Sequence, residues 1–415
     1  MQPPASRTAF ALLAEKARQS PGHLVAVTVD GRTTYAELHS AARRVAGALA
    51  AAGIRRGDRV GLLCNNRIEW LEVFFAANAL GATLVPFSTW SKPAELDFLL
   101  QDSDVKLLLT LTSYGGQSFA EDIAALRATG THMRLARVVG IDADGSDGYA
   151  AWRSATDPGT TLPDAGHARP EDPLVILYTS GSSNRPKAVP LLNGSAIANG
   201  FNIGERMALG PDDRVLVSVP LFWSYGAVNA LPATVTHGAT LVLQGRFEPG
   251  GALDLIERER CTALYTLPAM TSALLAHPDF SPTRTASLRT GLTIGSPQDV
   301  IRAAEELGAA RICNIYGSTE SYGNCAVAWH HWPLAERSVS QGPPLPGVTI
   351  RIRDGETGAL LGPGQVGEVE VKGHLTPGYQ GDSARHNAEV FLASPLTVAA
   401  SALKGAIADP REVLL

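Results

Sequence analysis

Between residues 25 and 110 one pattern repeats: a short apolar run, a turn signal, then a longer segment with apolar residues at helical spacing. Extended segments are predicted over residues 25–29, 59–64, 83–86 and 105–110, with Asp30-Gly31 as a turn. Helices are predicted between them. The first opens on a Thr34-x-x-Glu37 capping box and carries Leu38, Ala42, Val45 and Leu49 on one face up to Gly53. Residues 69–80 and 94–102 form the next two. Such alternation argues for parallel sheet covered by helices on both faces. The chain has 415 residues and is 45% hydrophobic, enough for a large core and more than one unit.

Residues 142–173 shift to Gly, Asp, Pro and Thr, which reads as a surface excursion leading into a second α/β lobe. That lobe is predicted to hold helices at 196–207 and 251–260 and strands at 214–219, 240–243 and 262–267. Formal net charge is −5 without basic blocks, which argues against nucleic acid or an anionic membrane as partner. No apolar run is long enough to span a bilayer, and residues 1–18 carry Glu15, Lys16 and Arg18 rather than a hydrophobic signal core. Cys64, Cys261, Cys313 and Cys325 show no C-x-x-C spacing, so they read as small core residues in a reduced, cytoplasmic setting. His330 and His331 lack the neighbours of a metal site.

The second lobe opens on the chemistry. Residues 175–178 read as a buried strand, followed by Thr179-Ser180-Gly181-Ser182-Ser183-Asn184-Arg185-Pro186-Lys187. Hydroxyls, backbone N–H groups and one cation together suit a polyphosphate. Taken alone, an ordinary surface turn has the same composition. A Walker loop is excluded, because G-x-x-x-x-G-K-[ST] does not occur there.

Through Tyr178, Thr179, Ser180, Gly181, Pro186, Lys187 and Val189 the loop resembles Y-T-S-G-T-T-G-x-P-K-G-V, the phosphate-binding signature of adenylate-forming enzymes. Ser182 and Ser183 keep its hydroxyls. Asn184 and Ala188 stand where that family has glycines, and Ala188 would be strained if its position needs positive φ. The resemblance extends to T-Y-x-E-L at Thr34, G-D-R-V at Gly57 and G-A-x-x-x-P at Gly81.

Residues 220–226 resemble the family's P-L-F-H-x-x-G segment, which contributes to the carboxylate substrate's pocket; Trp223 replaces the histidine. The resemblance therefore implies a pocket formed by Phe222, Trp223, Tyr225, Gly226, Asn229 and Tyr322. Gly295-Ser296-Pro297 resembles the turn that lies against adenine. Asn314-Ile315-Tyr316-Gly317-Ser318-Thr319-Glu320 matches N-x-Y-G-x-T-E. It implies an adenine face from Tyr316, a partner for its amine from Asn314, an α-phosphate contact from Thr319 and an Mg²⁺ ligand in Glu320. Lys187 and Glu320 are expected to face each other across the junction of the lobes.

The implied fold is α/β: two mostly parallel, helix-covered sheet lobes (1–172 and 173–330) plus a small distorted β-barrel (331–391), making one large domain, 1–391. Segments 342–347, 348–353 and 366–373, with Gly378-Tyr379, are expected in the barrel part. Beyond Glu389 and Phe391 the resemblance stops. The family's G-W-F-x-T-G-D segment and mobile C-terminal domain have no counterpart in the Ala-rich residues 392–415, and Lys404 lacks the context of that domain's lysine.

The resemblance implies ATP- and Mg²⁺-dependent conversion of a carboxylic acid, fatty or otherwise apolar, to an acyl-adenylate, with coenzyme A as the thiol acceptor. A carrier protein's pantetheine is the alternative acceptor. A chain that holds nucleotide or acid without turnover is the alternative of another class.

Overall fold

The computed structural model describes residues 1–129, 135–145, 148–155, 166–179 and 186–380. Short strands pass almost entirely through the interior: Thr83–Phe87, Leu107–Thr110 and Thr240–Leu243 are buried at every position. Strands buried on both faces cannot alternate polar and apolar, hence the continuous apolar runs in the sequence. They assemble into two sheets. One has six strands in the order Lys187–Leu192, Pro173–Thr179, Thr83–Phe87, Arg59–Leu63, Leu107–Thr110, Arg137–Gly140, parallel except for its first pair. The other has eight: Ala326–Val327, Arg311–Tyr316, Thr290–Thr293, Ala263–Tyr265, Arg214–Val217, Thr240–Leu243, Leu24–Val27 and Arg32–Thr34. It is parallel inside and antiparallel at both edges.

The α/β architecture follows the expectation, but the cut between lobes does not fall at residue 172. Leu24–Val27 and Arg32–Thr34 belong to the eight-stranded sheet, while Pro173–Thr179 and Lys187–Leu192 complete the six-stranded one. Pairing chooses partners by fit and not by sequence distance, and here the segments before and after residue 172 each lend two strands to the other's sheet. Of the expected barrel part, the described residues contain an antiparallel ladder, Val348–Arg353 with Glu368–Gly373. Segment 342–347 forms no strand there; Pro344 makes a single bridge to Ala326. Among the described residues no closed barrel is found. Residues 381–415, including Glu389, Phe391, Lys404 and the Ala-rich tail, lie outside the described residues.

The helix Ile68–Ala79 is buried on nearly every side, from Trp70 through Ala79, which marks it as a central element with protein on all faces. Polar pins fix what surrounds it. Asn78 Nδ2 donates to Asn193 Oδ1 (2.7 Å), while the two side-chain oxygens accept from the N–H groups of Phe10 and Ala9, opening the helix Ala9–Gln19. Asn66, just past the strand Arg59–Leu63, reaches the other sheet. Its amide donates to the carbonyls of Val217 and Val219, and its oxygen accepts from the N–H of Leu221. The C-terminal ends of strands from both sheets are thereby tied together, and this is where ligands settle in open α/β sheets.

The predicted capping box is in place: Thr34 Oγ1 accepts from the Glu37 N–H, and Glu37 accepts from the Thr34 N–H at 2.8 Å, opening the helix Tyr35–Ala51. Thr34→Ala removes the hydroxyl half of the box. It should lower stability by about 1 kcal/mol, read as a reduced urea midpoint at unchanged slope.

Candidate functional site

The phosphate-loop residues bracket a hairpin. Thr179 ends one strand, Lys187 begins the antiparallel return Lys187–Leu192, and the two face each other in register. Ser180, Gly181, Ser182, Ser183 and Asn184 lie outside the described residues. Ala188 pairs with Tyr178, is 3% exposed, and is not among the four described non-glycine residues with positive φ, which are Asp104, Ala208, Arg260 and Tyr322. An alanine therefore fits this position without strain, and the substitution for glycine leaves the hairpin intact. Tyr178 anchors the hairpin from below by donating to Asp102 at 2.6 Å.

Opposite it, the strand Arg311–Tyr316 ends in a tight turn. At Gly317 a Cβ would stand 2.5 Å from the Asn324 Cα, so only glycine allows the close approach. The chain then forms the short 3₁₀ turn Thr319–Ser321. Glu320 is 7% exposed, and both its carboxylate oxygens are engaged: Ser318 donates its hydroxyl at 2.7 Å and Tyr379 its phenol at 2.9 Å. Burial, and then the Glu320 charge, push the Tyr379 phenol above its ordinary range, so it stays a neutral donor. Thr319 donates its hydroxyl to Ser224 at 3.2 Å. The Lys187 ammonium lies over the Tyr379 ring, 5.1 Å from its centre. Lys187 and Glu320 are thus on the same side of the molecule, with one tyrosine between them.

The surroundings of Glu320 set it apart. Five carboxylates are buried among the described residues: Glu72, Asp213, Glu259, Glu320 and Glu370. Four have a guanidinium beside them, from Arg153, Arg289, Arg214 and Arg353 respectively. Glu320 has hydroxyls only, and no cation pairs with it among the described residues. A buried carboxylate without a counter-charge is costly unless a cation arrives from outside.

Several expected site residues are placed elsewhere. Asn314 is fully buried mid-strand, its oxygen accepting from the Ile315 N–H and its amide donating to the Ser338 carbonyl at 3.5 Å. The helix Leu334–Val339 packs over it. Ile315 is buried too, and Tyr316 packs its ring into a cluster with Cys325, Ala326, Val369 and Val371, so little of its face is open. Gly295-Ser296-Pro297 forms the start of the helix Pro297–Glu305, where Ser296 and Asp299 complete a capping box.

In the pocket set, Asn229 and Tyr322 are fully buried and line neither described cavity. Asn229 accepts from the Tyr265 phenol at 2.9 Å, and the Tyr322 phenol accepts from the Leu192 N–H at 3.0 Å. These bonds hold neighbouring elements together, and the Asn229 Nδ2 is left buried without a hydrogen-bond partner among the described residues. Tyr225 packs edge-on against Tyr265 at 5.0 Å. Gly226 opens a π-helical turn, Gly226–Ala230, where a Cβ would meet the Pro220 carbonyl at 2.3 Å.

Phe222 and Trp223 do line open space. With Trp90 they form a trio of mutually perpendicular rings, 5.0 to 6.3 Å apart. The pair Phe222–Trp223 borders two cavities: one of about 260 Å³ reaching Asn65, Thr89 and Met270, and one of about 100 Å³ reaching Tyr178, Thr179 and Pro186. Trp90 is 57% and Trp223 38% exposed, unusual for indoles outside a binding surface. Sequence reasoning missed Trp90, although its place just after Thr83–Phe87, at a strand's C-terminal end, was the available signal. It also missed Tyr379 as a site residue. The four cysteines are buried and unpaired, and burial pushes Cys261, Cys313 and Cys325 up to about 12, so none serves as a nucleophile.

The sequence pattern of the family described as AMP-binding enzyme matches residues 13–380. A feruloyl-CoA synthase from an Amycolatopsis species is 35% identical over 370 residues, which is 88% of this chain and 70% of that protein. The acyl-CoA ligase sidI of Aspergillus fumigatus is 32% identical over 373 residues, 86% of this chain and 62% of that protein. The chain thus spans about three fifths to seven tenths of the length of these relatives. Among solved structures, the N-terminal domain of FACL13 from Mycobacterium tuberculosis superposes with a TM-score of 0.78 at 25% identity, covering 90% of this chain and 91% of that one.

Because Ala188 is extended and buried, restoring glycine there should not help. Ala188→Gly is expected to cost about 0.5–1 kcal/mol in urea unfolding without tightening ATP binding measured by calorimetry.

Proposed function

The chain belongs to the AMP-binding enzyme family, and from that membership we propose that it serves the ATP-dependent activation of a carboxylic acid, through an acyl-adenylate, toward a coenzyme A thioester. By family this is acid–thiol ligase chemistry of the AMP-forming type. One observation carries the reading at the level of residues: the buried carboxylate of Glu320, without a paired cation among the described residues, facing Lys187 across Tyr379.

In the first half-reaction the acid's carboxylate oxygen attacks the α-phosphorus of ATP, the bond to the β-phosphate oxygen breaks, and pyrophosphate leaves. Negative charge builds on the transferring group, so the protein's task is to place cations and hydroxyls around it. Lys187 supplies a positive charge at the mouth of the phosphate hairpin and has no carboxylate partner among the described residues. Thr319, on the Glu320 turn, supplies a hydroxyl that can exchange its donation to Ser224 for one to a phosphate oxygen. Glu320 fits Mg²⁺: it is a hard oxygen ligand left uncompensated, and this ion commonly takes only one or two protein carboxylates, completing its shell with phosphates and water. When bound, Mg²⁺ neutralises phosphate charge. Ser318 and Tyr379 hold the Glu320 oxygens in fixed directions, and Glu320 would hold the ion.

Phe222, Trp223 and Trp90 favour an apolar or aromatic acid over a small hydrophilic one, and the cavity beside Thr179 brings that wall to the hairpin. The reading takes residues 1–391 as one large adenylate-forming domain, supported by the family match over 13–380. Four unpaired, buried cysteines support a cytoplasmic setting; no described helix is long and apolar enough to cross a membrane.

Acid-dependent exchange of labelled pyrophosphate into ATP tests the first half-reaction alone. Panels of aryl and fatty acids should support it, and Lys187→Met and Glu320→Gln should each reduce it by roughly 10²–10³-fold. Exchange unaffected by Glu320→Gln defeats the assignment, and ATP binding without any exchange indicates a nucleotide-holding chain. Offering coenzyme A and a carrier protein in parallel identifies the thiol, and thioester on the carrier alone reverses the choice made here.

A further inference from the structure

The segment just before the end of the described chain behaves as a strap across the site. The Thr376 N–H donates to the carbonyl of Glu320 itself at 2.8 Å, and its hydroxyl donates to the Pro190 carbonyl at 2.7 Å. Gly378 turns the strap at φ 131, a conformation that favours glycine. Past it, the Gln380 N–H donates to the Ala188 carbonyl at 3.0 Å, and Arg59 donates to the Gln380 side chain at 2.8 Å. Tyr379 is therefore clamped from both sides: to the strand that begins with Lys187, and to the turn that carries Glu320.

Its side chain uses both of its ends. The ring face lies under the Lys187 ammonium within the range of a cation–π contact, while the hydroxyl donates to Glu320 Oε1. A lysine and a glutamate on facing elements attract, and a direct pair would leave neither charge for a ligand. A phenol between them satisfies each without neutralising either. We propose that Tyr379 is a positioning residue of the nucleotide site, its ring holding Lys187 for a phosphate and its hydroxyl aiming Glu320 at a divalent cation. The proposal rests on the reading of Lys187 and Glu320 given above. It adds a residue to that reading and splits its two ends between two kinds of binding.

The split is what the experiment measures. ATP binding to the full chain is followed by calorimetry in EDTA and again with Mn²⁺, while electron paramagnetic resonance counts free Mn²⁺. The wild type should bind Mn·ATP more tightly than metal-free ATP. Tyr379→Phe keeps the ring and loses the hydroxyl. It should hold the metal-free affinity within about twofold and weaken Mn·ATP about tenfold, the scale of one hydrogen bond to a charged group. Tyr379→Leu removes the ring face as well and should weaken both. A thermal melt checks that each variant folds, and if the leucine variant does not, the phenylalanine variant decides alone. Equal losses with and without metal in Tyr379→Phe, or no loss in either, overturn the positioning role while leaving the site reading intact. A wild type with no metal-dependent gain overturns both.

Discussion

A charge taken out of water must find a partner, and the architecture around Glu320 is arranged about one that, among the described residues, finds only hydroxyls. Elsewhere in the interior the rule is kept by arginines: Glu72, Asp213, Glu259 and Glu370 each sit beside one. At the end of the strand Arg311–Tyr316 it is suspended. Ser318 and Tyr379 orient the carboxylate without cancelling it, and the strap that brings Tyr379 also fixes the backbone of the opposing hairpin. The uncompensated anion and the cation of Lys187 persist close together because rigid elements on both sides hold them short of contact.

That rigidity is supplied by the sheets. Parallel strands buried on both faces leave their C-terminal ends as the place where loops with chemistry can emerge. Asn66 makes those ends common property, since its side chain hydrogen-bonds the chain leaving Arg214–Val217 while its backbone follows Arg59–Leu63. The aromatic trio is assembled the same way. Trp90 comes from beyond a strand of the six-stranded sheet, and Phe222 and Trp223 from beyond one of the eight-stranded sheet.

Local pattern in the sequence was sufficient for the elements, because burial writes itself into strands as apolar runs and into helices as spacing and caps. Thr240–Leu243 was legible to the residue, and Thr34 and Glu37 formed the box expected of them. Partnership was not legible. Nothing in residues 24–27 says that their neighbour is at 240–243, and nothing around Lys187 says that Lys187–Leu192 is a return strand, at a sheet edge where Pro190 is tolerated. Motif position likewise does not say what covers a side chain. Asn314, Asn229 and Tyr322 occupy motif or pocket positions in the sequence, yet each is sealed by tertiary contacts that no local rule encodes. Trp90 and Tyr379 escaped for the converse reason: each is one aromatic in a turn, significant only for what the fold sets beside it.

The exchange of strands between the sheets carries a consequence for how the chain is made. Leu24–Val27 leaves the ribosome early, but its register is Ala26 against Leu241 and Val27 against Val242. Until residue 243 emerges, a fully apolar tetrapeptide has only the short strand Arg32–Thr34 for company, and one of its edges stays unsatisfied. The six-stranded sheet has a similar wait, since its last two strands come after the excursion that ends near residue 172. The six-stranded sheet has all its strands once residue 192 is out, but the eight-stranded one cannot close until the second half of the chain is made. Contacts this distant form slowly and leave sticky edges open meanwhile, so the nascent first half is the species a holding chaperone would meet.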